Sequence, residues 1–369
     1  MAKLIKIIGC DNPQRVGDVV FIHGLGGNGL ETWHTNPQEI TELKKQADKT
    51  GVPLDASQLN FWPVWLGKER PDLGIWSLDY EVEPSDWKGG TMPLAERANN
   101  VLETFANKRI GQRPLVFITH SLGGLLAKQL LRNANDFGTD RQRRVVAQTK
   151  GLVFLATPHS GSNWSNWAQF INGLLLKLPK LSLSVEELEY GHSRLQELNQ
   201  VFRGHPILGQ VPVKAYYETQ PLKPLGVVVD KVSADMGKPE PTIPVDANHI
   251  NICKISAQQR EEGVVYDSVV LFLEDYLSAE SATAPAPTTT TPAATETVDR
   301  PRLYGQLAAL PSPQFGEIAY VLNPPAGTVP GIAAAQGTRV EALLNWAEGT
   351  GGCGLDKVQS VLDQILPPR

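Results

Sequence analysis

Residues 114 to 131 decide the fold and read Pro-Leu-Val-Phe-Ile-Thr-His-Ser-Leu-Gly-Gly-Leu-Leu-Ala-Lys-Gln-Leu-Leu. The apolar run before Thr119 predicts a buried strand, and the pattern after Ser121 is typical of an amphipathic helix. A sharp strand-to-helix turn centred on a serine lifts its hydroxyl above the sheet, as in a nucleophile elbow. Gly123 fills the second glycine position of G-x-S-x-G, whereas Thr119 replaces the first. We therefore predict that Ser121 is a catalytic nucleophile.

Short apolar runs recur along the chain with helical segments between them. They are Leu4 to Ile8, Val19 to Ile22, Ile75 to Tyr80, Leu115 to Thr119, Leu152 to Ala156, Val213 to Tyr217 and Val227 to Val229. This alternation predicts an α/β protein with a mostly parallel sheet that helices cover on both faces. Together with the elbow, it predicts the α/β-hydrolase fold.

Three later segments depart from this rhythm. Residues 160 to 206 have an apolar helical pattern without a clear strand, which indicates an inserted helical cap. Residues 278 to 299 are rich in Ala, Thr and Pro and are typical of a linker. Residues 300 to 369 regain apolar periodicity, which predicts a small all-α domain. We therefore expect a hydrolase domain at 1 to 277, the linker, and a separate C-terminal domain.

A serine hydroxyl needs an imidazole to remove its proton, and in this fold the histidine follows the nucleophile and the acid. Of the seven histidines, His249 alone follows the last predicted strand of the large domain. Two carboxylates could orient it: Glu218 after the strand Val213 to Tyr217, and Asp230 after Val227 to Val229. We favour Glu218 and keep Asp230 as the alternative acid.

The tetrahedral intermediate of acyl transfer requires backbone N–H groups that face its oxyanion. Leu122, directly after the nucleophile, is one predicted donor. Leu25, in the early loop His-Gly-Leu-Gly-Gly, is the other. Three cap aromatics, Trp164, Trp167 and Phe170, are candidates for the acyl pocket, although aromatic residues at helical spacing are more often core.

The composition argues against nucleic-acid binding, metal sites and disulfides. The 369 residues carry a net charge of -5, so no basic surface for nucleic acid is expected. The three cysteines are far apart in sequence and suggest neither a metal site nor disulfides. We expect no metal and no cofactor. The apolar run near Met1 is too short for a signal peptide, so we expect a cytoplasmic protein, with peripheral membrane contact as an open alternative.

Several motifs in order carry a family resemblance. They are His23-Gly-Leu-Gly-Gly, Phe61-Trp-Pro-Val-Trp-Leu, Thr119-His-Ser-Leu-Gly-Gly, Ala156-Thr-Pro-His-Ser-Gly and Asn248-His-Ile-Asn-Ile-Cys-Lys. Over residues 15 to 275 the chain resembles the serine-active-site-containing lipase-like proteins, relatives of the GPI inositol-deacylases. The resemblance implies a triad of Ser121, an acid and His249, with Glu218 at the acid's position. It also implies lipid or ester chemistry, including acyl transfer in phospholipid remodelling.

Residues 302 to 366 resemble the bacterial effector-associated domains, which are death-domain-like helical adaptors. The motifs include Leu307-Ala-Ala-Leu-Pro, Arg339-Val-Glu-Ala-Leu-Leu-Asn-Trp-Ala-Glu and Gly351-Gly-Cys-Gly-Leu. The resemblance implies a protein partner with a similar domain, and surface charges such as Arg339 and Glu341 are expected to contribute. An ordinary structural helical bundle is the alternative.

The leading hypothesis is a serine esterase or lipase that acts on a lipid or another ester. An acyltransferase with the same triad is the first alternative. A catalytically idle hydrolase scaffold that acts as a binding module is the second.

Overall fold

The structure, a computed structural model, divides into two compact units, Met1–Ala284 and Pro285–Arg369. It describes residues 2–80, 94–159, 166–167, 169–170, 185–278, 299–322, 324, 328–331, 334–349 and 354–365. Much of the first half of the predicted cap and nearly all of the predicted linker lie outside these ranges, as does Trp164.

One sheet organises the first unit. Its strands are β1 (Lys3–Ile8), β2 (Gly17–Ile22), β3 (Leu73–Asp79), β4 (Leu115–His120), β5 (Thr149–Leu155), β6 (Val213–Glu218) and β7 (Ile243–Val245). They lie in the order β1-β3-β2-β4-β5-β6-β7. Only the β1–β3 pair is antiparallel. This sheet, with a helix after the turn at Ser121, is the α/β-hydrolase fold that the sequence predicts.

Every residue of β2 and of β4 is buried. Because successive side chains of a strand point to opposite faces, complete burial means that both faces of the sheet centre are covered. The strand order reverses around β2, which has β3 on one side and β4 on the other. Ligands of open α/β sheets bind outside the carboxyl ends of the strands at such a switch point. The ends of β2 and β4 therefore mark the expected position of the site.

Nine helices of the first unit are described. They are α1 (Pro37–Thr50), α2 (Trp62–Glu69), α3 (Leu94–Asn107), α4 (Leu122–Asp136), α5 (Asp140–Gln148), α6 (Val185–Gly204), α7 (Lys231–Ala234), α8 (Ala257–Glu262) and α9 (Val264–Tyr276). Side-chain caps explain some of their boundaries. Helix α5 begins with a capping box, in which the Thr139 hydroxyl accepts from the Gln142 N–H and the Gln142 side chain accepts from the Thr139 N–H.

The segment Val227–Val229 is not a strand, and this prediction was wrong. The last strand of the sheet is β7, which pairs with β6. Val228 and Val229 are nonetheless fully buried, and their N–H groups donate to the side chain of Glu218 instead of to a neighbouring strand. Burial therefore explains the apolar composition that resembled a strand.

The second unit is helical. Its described helices are α10 (Arg300–Ala308), α11 (Ser312–Leu322), α12 (Gln336–Glu348) and α13 (Leu355–Ile365). They share a core of twelve buried residues, Leu303, Leu307, Phe315, Ile318, Leu322, Val340, Leu343, Leu344, Ala347, Val358, Val361 and Leu362. The unit thus has its own hydrophobic core, as the predicted all-α domain requires.

Arg339 is not the surface charge that the sequence suggested. Its side chain is buried, with the guanidinium 4.8 Å from the ring centre of Phe315. Its Nε donates to the carbonyl of Pro330 at 3.2 Å. A cation over an aromatic face with a carbonyl acceptor is a stable internal position, so Arg339 stabilises the bundle. Glu341 is exposed.

Among the described helices, none combines the length and the apolar composition that a membrane span requires.

Candidate active site

The nucleophile candidate lies in a strained turn between β4 and α4. Ser121 has φ 53° and ψ -123°, a conformation that residues with a Cβ rarely adopt. Its N–H donates to the carbonyl of Leu155 at 2.9 Å, and its own carbonyl accepts from the N–H of Gly124 at 3.1 Å. Hydrogen bonds on both sides of the residue therefore hold the turn.

Two glycines permit the close approach of backbones around this turn. A Cβ on Gly123 would lie 2.3 Å from the carbonyl oxygen of Ile22, and a Cβ on Gly24 would lie 2.9 Å from the Cβ of Ser121. Thr119 stands at the first glycine position of the motif, where it is buried and its hydroxyl donates to the carbonyl of Val153 on β5 at 2.9 Å. The departure from G-x-S-x-G thus leaves the elbow geometry intact.

Three predicted residues meet at the carboxyl edge of the sheet. The Oγ of Ser121 lies 2.9 Å from Nε2 of His249. On the other side of the ring, Nδ1 of His249 lies 2.7 Å from Oε2 of Glu218. A carboxylate accepts, so Nδ1 carries the hydrogen and Nε2 is left to accept from the serine hydroxyl. The arrangement can move a proton from the serine to an imidazole that a carboxylate stabilises.

The two candidate acids differ in position. Glu218 ends β6 and is buried, and its second oxygen, Oε1, accepts from the N–H groups of Val228 at 2.7 Å and Val229 at 3.1 Å. Asp230 instead caps α7, where its Oδ1 accepts from the N–H of Ser233 at 2.8 Å. The structure brings Glu218 to His249, whereas Asp230 serves a helix terminus.

The predicted oxyanion donors belong to the start of α4 and to the loop after β2. Leu122 is the first residue of α4, where backbone N–H groups have no partner within the helix. The carbonyl of Gly24 accepts from Nδ1 of His23 at 2.8 Å and from the N–H of Gly27 at 3.2 Å. Because carbonyl and N–H of a trans peptide point in opposite directions, these bonds direct the N–H of Leu25 away from His23. Their oxyanion role stays a prediction.

Two of the three predicted pocket aromatics contact the catalytic histidine candidate. The rings of Phe170 and Trp167 lie edge-on to the His249 imidazole, with ring centres 4.6 Å and 5.8 Å away. Both side chains are buried. Only 1% of Ser121 and 0% of His249 is exposed. These aromatics therefore help to shield the His249 ring from water.

The loop that carries His249 is fixed to α2 and to the turn before α1. At the start of α2, the indole N–H of Trp62 donates to the carbonyl of Cys253 at 3.0 Å. The side-chain nitrogen of Lys254 donates to the carbonyls of Glu31 and His34, at 2.8 Å and 3.1 Å. The Lys254 contacts connect the His249 loop to the segment that follows the glycine-rich loop.

Some groups around the site could not be found from the sequence. The apolar residues Val228 and Val229 give no sign that their N–H groups donate to the acid, because every residue type other than proline has the same main-chain N–H. His120 stands directly before Ser121 in the sequence, and in the structure its Nε2 lies 2.8 Å from the carbonyl oxygen of His249. Adjacency to the nucleophile was the available signal.

A buried lysine lies behind the elbow on α4. Nζ of Lys128 lies 2.7 Å from Nδ1 of His159 and 2.8 Å from Oδ1 of Asn199 on α6. Burial, assisted by the charge of Lys238, holds the pKa of Lys128 well below its usual range. Nζ of Lys128 has hydrogens for both acceptors. The group therefore joins α4, the loop after β5 and α6 without requiring a carboxylate.

Three buried histidines predict sensitivity to acid. Burial lowers the pKa of His23 to about 4 and, with the nearby His249, that of His120 to about 3. Burial and the charge of the adjacent Lys128 hold the pKa of His159 well below its usual range. In the unfolded chain these histidines bind protons near pH 6.5, whereas in the folded chain they bind them only at lower pH. Their contribution to the free energy of unfolding is therefore fully present above pH 6.5 and is lost as the pH falls.

We expect the free energy of unfolding to fall by up to about 1.4 kcal/mol per pH unit for each of these histidines between pH 6 and 4. Urea denaturation at pH 7, 6, 5 and 4.5 measures this slope. A free energy of unfolding that stays constant between pH 6.5 and 4.5 would show that the folded protein accommodates the protonated imidazoles.

Comparison with known proteins agrees with the resemblance of the motifs. The chain is 32% identical over 274 residues to Protein SERAC1 of Bos taurus, a match that covers 71% of this chain and 39% of that protein. It is 31% identical over 272 residues to Protein SERAC1 of Homo sapiens, again covering 71% and 39%. The chain thus matches about two fifths of the length of these curated relatives. No protein-family model matches the chain.

Among solved structures, Phospholipase PlaB from Legionella pneumophila in complex with thio-NAD aligns with 72% of this chain and 60% of its own. The TM-score is 0.46, at 16% identity. The mature form of Bacillus licheniformis lipase BlEst2 aligns with 74% of this chain and 97% of its own, with a TM-score of 0.42 and 16% identity.

Proposed function

We propose that the first unit is a serine hydrolase that cleaves carboxylic esters. The observation that carries the proposal is the hydrogen-bonded chain from Glu218 through His249 to Ser121, with the serine in a strained elbow. A serine hydroxyl becomes an effective nucleophile when an oriented imidazole takes its proton. Such a chain, set at the switch point of the sheet, is a known means of acyl transfer.

In the proposed reaction, Oγ of Ser121 attacks the ester carbonyl while its proton passes to Nε2 of His249. The N–H groups of Leu25 and Leu122 receive the oxyanion. When the tetrahedral intermediate collapses, the alcohol leaves with the proton from His249 and the acyl group stays on the serine. Water, deprotonated by the same imidazole, then attacks the acyl-enzyme and releases the acid.

We propose an ester with an apolar acyl chain, that is, a lipid, as the substrate. Phe170 and Trp167 place apolar surface against His249, and the motif resemblance implies lipid or ester chemistry. The shielding of Ser121 and His249 from solvent also favours a second candidate, transfer of the acyl group to an alcohol, because excluded water competes less for the acyl-enzyme.

An ester panel with acyl chains of 2 to 16 carbons tests this proposal and separates the two outcomes. The purified protein is assayed with and without glycerol or a lysophospholipid as acceptor. Hydrolysis predicts the free acid at all acceptor concentrations, whereas acyl transfer predicts a new ester in place of the acid. No turnover of any ester would contradict the proposed function.

We expect Phe170 to contribute to a preference for esters with long acyl chains over acetate esters. Replacement with leucine removes aromatic surface beside His249, so we expect kcat/KM for a twelve-carbon ester to fall about tenfold more than that for an acetate ester. Phe202→Leu is the matched control, because Phe202 is also a buried phenylalanine and lies against Lys128. Equal losses on both esters in the Phe170 variant would show that the residue serves packing alone.

We propose that residues 300 to 369 form an adaptor domain that recruits a protein with a similar domain, and that residues 278 to 299 form a linker. The separate helical core of the second unit supports this division. Residues 1 to 278 alone should then hydrolyse small soluble esters within about twofold of the full chain, since the second unit carries none of the proposed catalytic groups.

Partner binding is tested by capture with residues 299 to 369. Glu341→Lys should weaken capture without unfolding the bundle, because this side chain is exposed. Arg339→Leu should instead destabilise the bundle, because its guanidinium is an internal contact. The proposal would be contradicted if the second unit did not fold in isolation. It would also be contradicted if residues 1 to 278 alone were inactive while the full chain was active.

A further inference from the structure

His120 is a buried histidine without an assigned part in the proposed reaction. It ends β4 directly before Ser121, and only 8% of it is exposed. Its Nε2 lies 2.8 Å from the main-chain carbonyl oxygen of His249. The two imidazole rings are 5.2 Å apart, centre to centre. His120 thus contacts the main chain of the same residue whose side chain contacts Ser121.

The elbow explains how two consecutive residues reach one histidine. In a regular strand, neighbouring side chains point to opposite faces of the sheet. The left-handed conformation of Ser121 interrupts this alternation, so that the side chains of residues 120 and 121 both face the loop of His249. Ser121 meets the ring of His249, and His120 meets its backbone.

The hydrogen bond to the carbonyl of His249 determines which ring nitrogen of His120 carries the hydrogen. A carbonyl oxygen only accepts, so Nε2 of His120 carries a hydrogen and donates it. Nδ1 then holds a lone pair, and it has no hydrogen-bond partner within the described part of the chain. Burial, with the proximity of His249, lowers the pKa of His120 to about 3. His120 therefore supplies a donor without a charge that would oppose the imidazolium of His249.

Other hydrogen bonds fix the flanks of the His249 loop but not its carbonyl. The N–H of Ala247 donates to the carbonyl of Val245 at 2.8 Å, and the N–H of Ile252 donates to the carbonyl of Asn248 at 3.0 Å. Within the described residues, the carbonyl of His249 has His120 as its hydrogen-bond donor. The position of the imidazole along the line between Ser121 and Glu218 is therefore set partly by His120.

We propose that His120 is a positioning residue, which holds the backbone of His249 so that its imidazole stays within reach of Ser121 and Glu218. Its role depends on the proposed function, because it acts through His249. A displacement of about 1 Å in a catalytic group can cost about 100-fold in rate, so loss of this single donor should be visible in the chemical step.

The test uses the full chain and the second-order rate constant for labelling by a fluorophosphonate. His120→Leu removes the donor, whereas His120→Gln keeps a neutral side-chain N–H. We expect labelling to slow about 100-fold in the leucine variant and to recover to within about tenfold of wild type in the glutamine variant. With an ester substrate, kcat should fall while KM changes little. If His120→Leu does not fold, His120→Phe removes the donor and keeps a ring.

Thr149→Val is the matched control, because Thr149 is buried at the start of β5 and its hydroxyl donates to a main-chain carbonyl, that of Val145, at 2.6 Å. Rates are normalised to the folded fraction, so a loss of packing alone lowers the melting temperature and leaves the labelling rate unchanged. Wild-type rates in both His120 variants would overturn the proposal, as would equal slowing in both. A wild-type protein that does not react with the probe would instead show that the proposed function itself fails.

Discussion

Ser121→Ala and His249→Ala should each lower kcat for ester cleavage by about 10⁴-fold or more, while the fold and the melting temperature stay near those of wild type. The nucleophile and its base act as one unit, so removal of either abolishes most of the catalytic advantage. Their 2.9 Å contact is the structural basis of this expectation. Initial rates on a short-chain ester, with circular dichroism for the fold, measure it.

The double variant provides the sharper form of this test. If the two residues act in one step, the double variant should lose about as much activity as either single variant. Ser268→Ala is the control, because this serine pairs with the hydroxyl of Tyr216. Residual activity above about one hundredth of wild type in either single variant would remove that residue from the mechanism.

Glu218→Gln should lower kcat by about 10⁴-fold, whereas Asp230→Asn should stay within about threefold of wild type. An amide in place of the Glu218 carboxylate can donate to Nδ1 of His249, which would favour the wrong imidazole tautomer, and it cannot stabilise the imidazolium. Asp230 caps the short helix α7. Its replacement should therefore change local stability more than catalysis.

The ranking of these two variants decides the acid. Glu218→Asp is a useful intermediate, because it keeps the charge but shortens the reach to His249 and to the Val228 and Val229 N–H groups. We expect it to retain more activity than Glu218→Gln. A larger loss in Asp230→Asn than in Glu218→Gln would reverse the assignment of the acid.

The sequence predicted the sheet well because its central strands are buried on both faces. Continuous apolar runs such as Leu115 to Thr119 are clear where no solvent face interrupts them. The same criterion failed at Val227–Val229, since burial alone, without strand pairing, also selects valine. The short strand Ile243–Val245 contains a proline and escaped notice because proline argues against a strand interior.

Residue type and order along the chain were sufficient to select Ser121, His249 and Glu218 as candidates, because the fold fixes the order nucleophile, acid, histidine. Chain order could not separate Glu218 from Asp230, since both were expected at strand ends. In the structure the side chain of Glu218 reaches His249, whereas that of Asp230 caps a helix. The position of Asp230 depends on the path of the main chain from residue 219 to residue 230. That path is a tertiary property without a local sequence signature.

Contacts between segments that are distant along the chain also could not be predicted from the sequence. Phe170 packs on His249 across 79 positions of the chain, and the internal position of Arg339 depends on its contact with Phe315 from another helix. A charged residue on a helix is ordinarily a surface residue. The contacts with Phe315 and with the carbonyl of Pro330 make Arg339 internal.

Labelling with a fluorophosphonate followed by peptide mass spectrometry shows directly whether Ser121 is the nucleophile. We expect wild type to be modified once, on Ser121. Ser121→Ala should not be labelled, and Ser268→Ala should be labelled at the wild-type rate. Labelling of the Ser121→Ala protein, or a modification mapped to another serine, would contradict the assignment of Ser121 as the nucleophile.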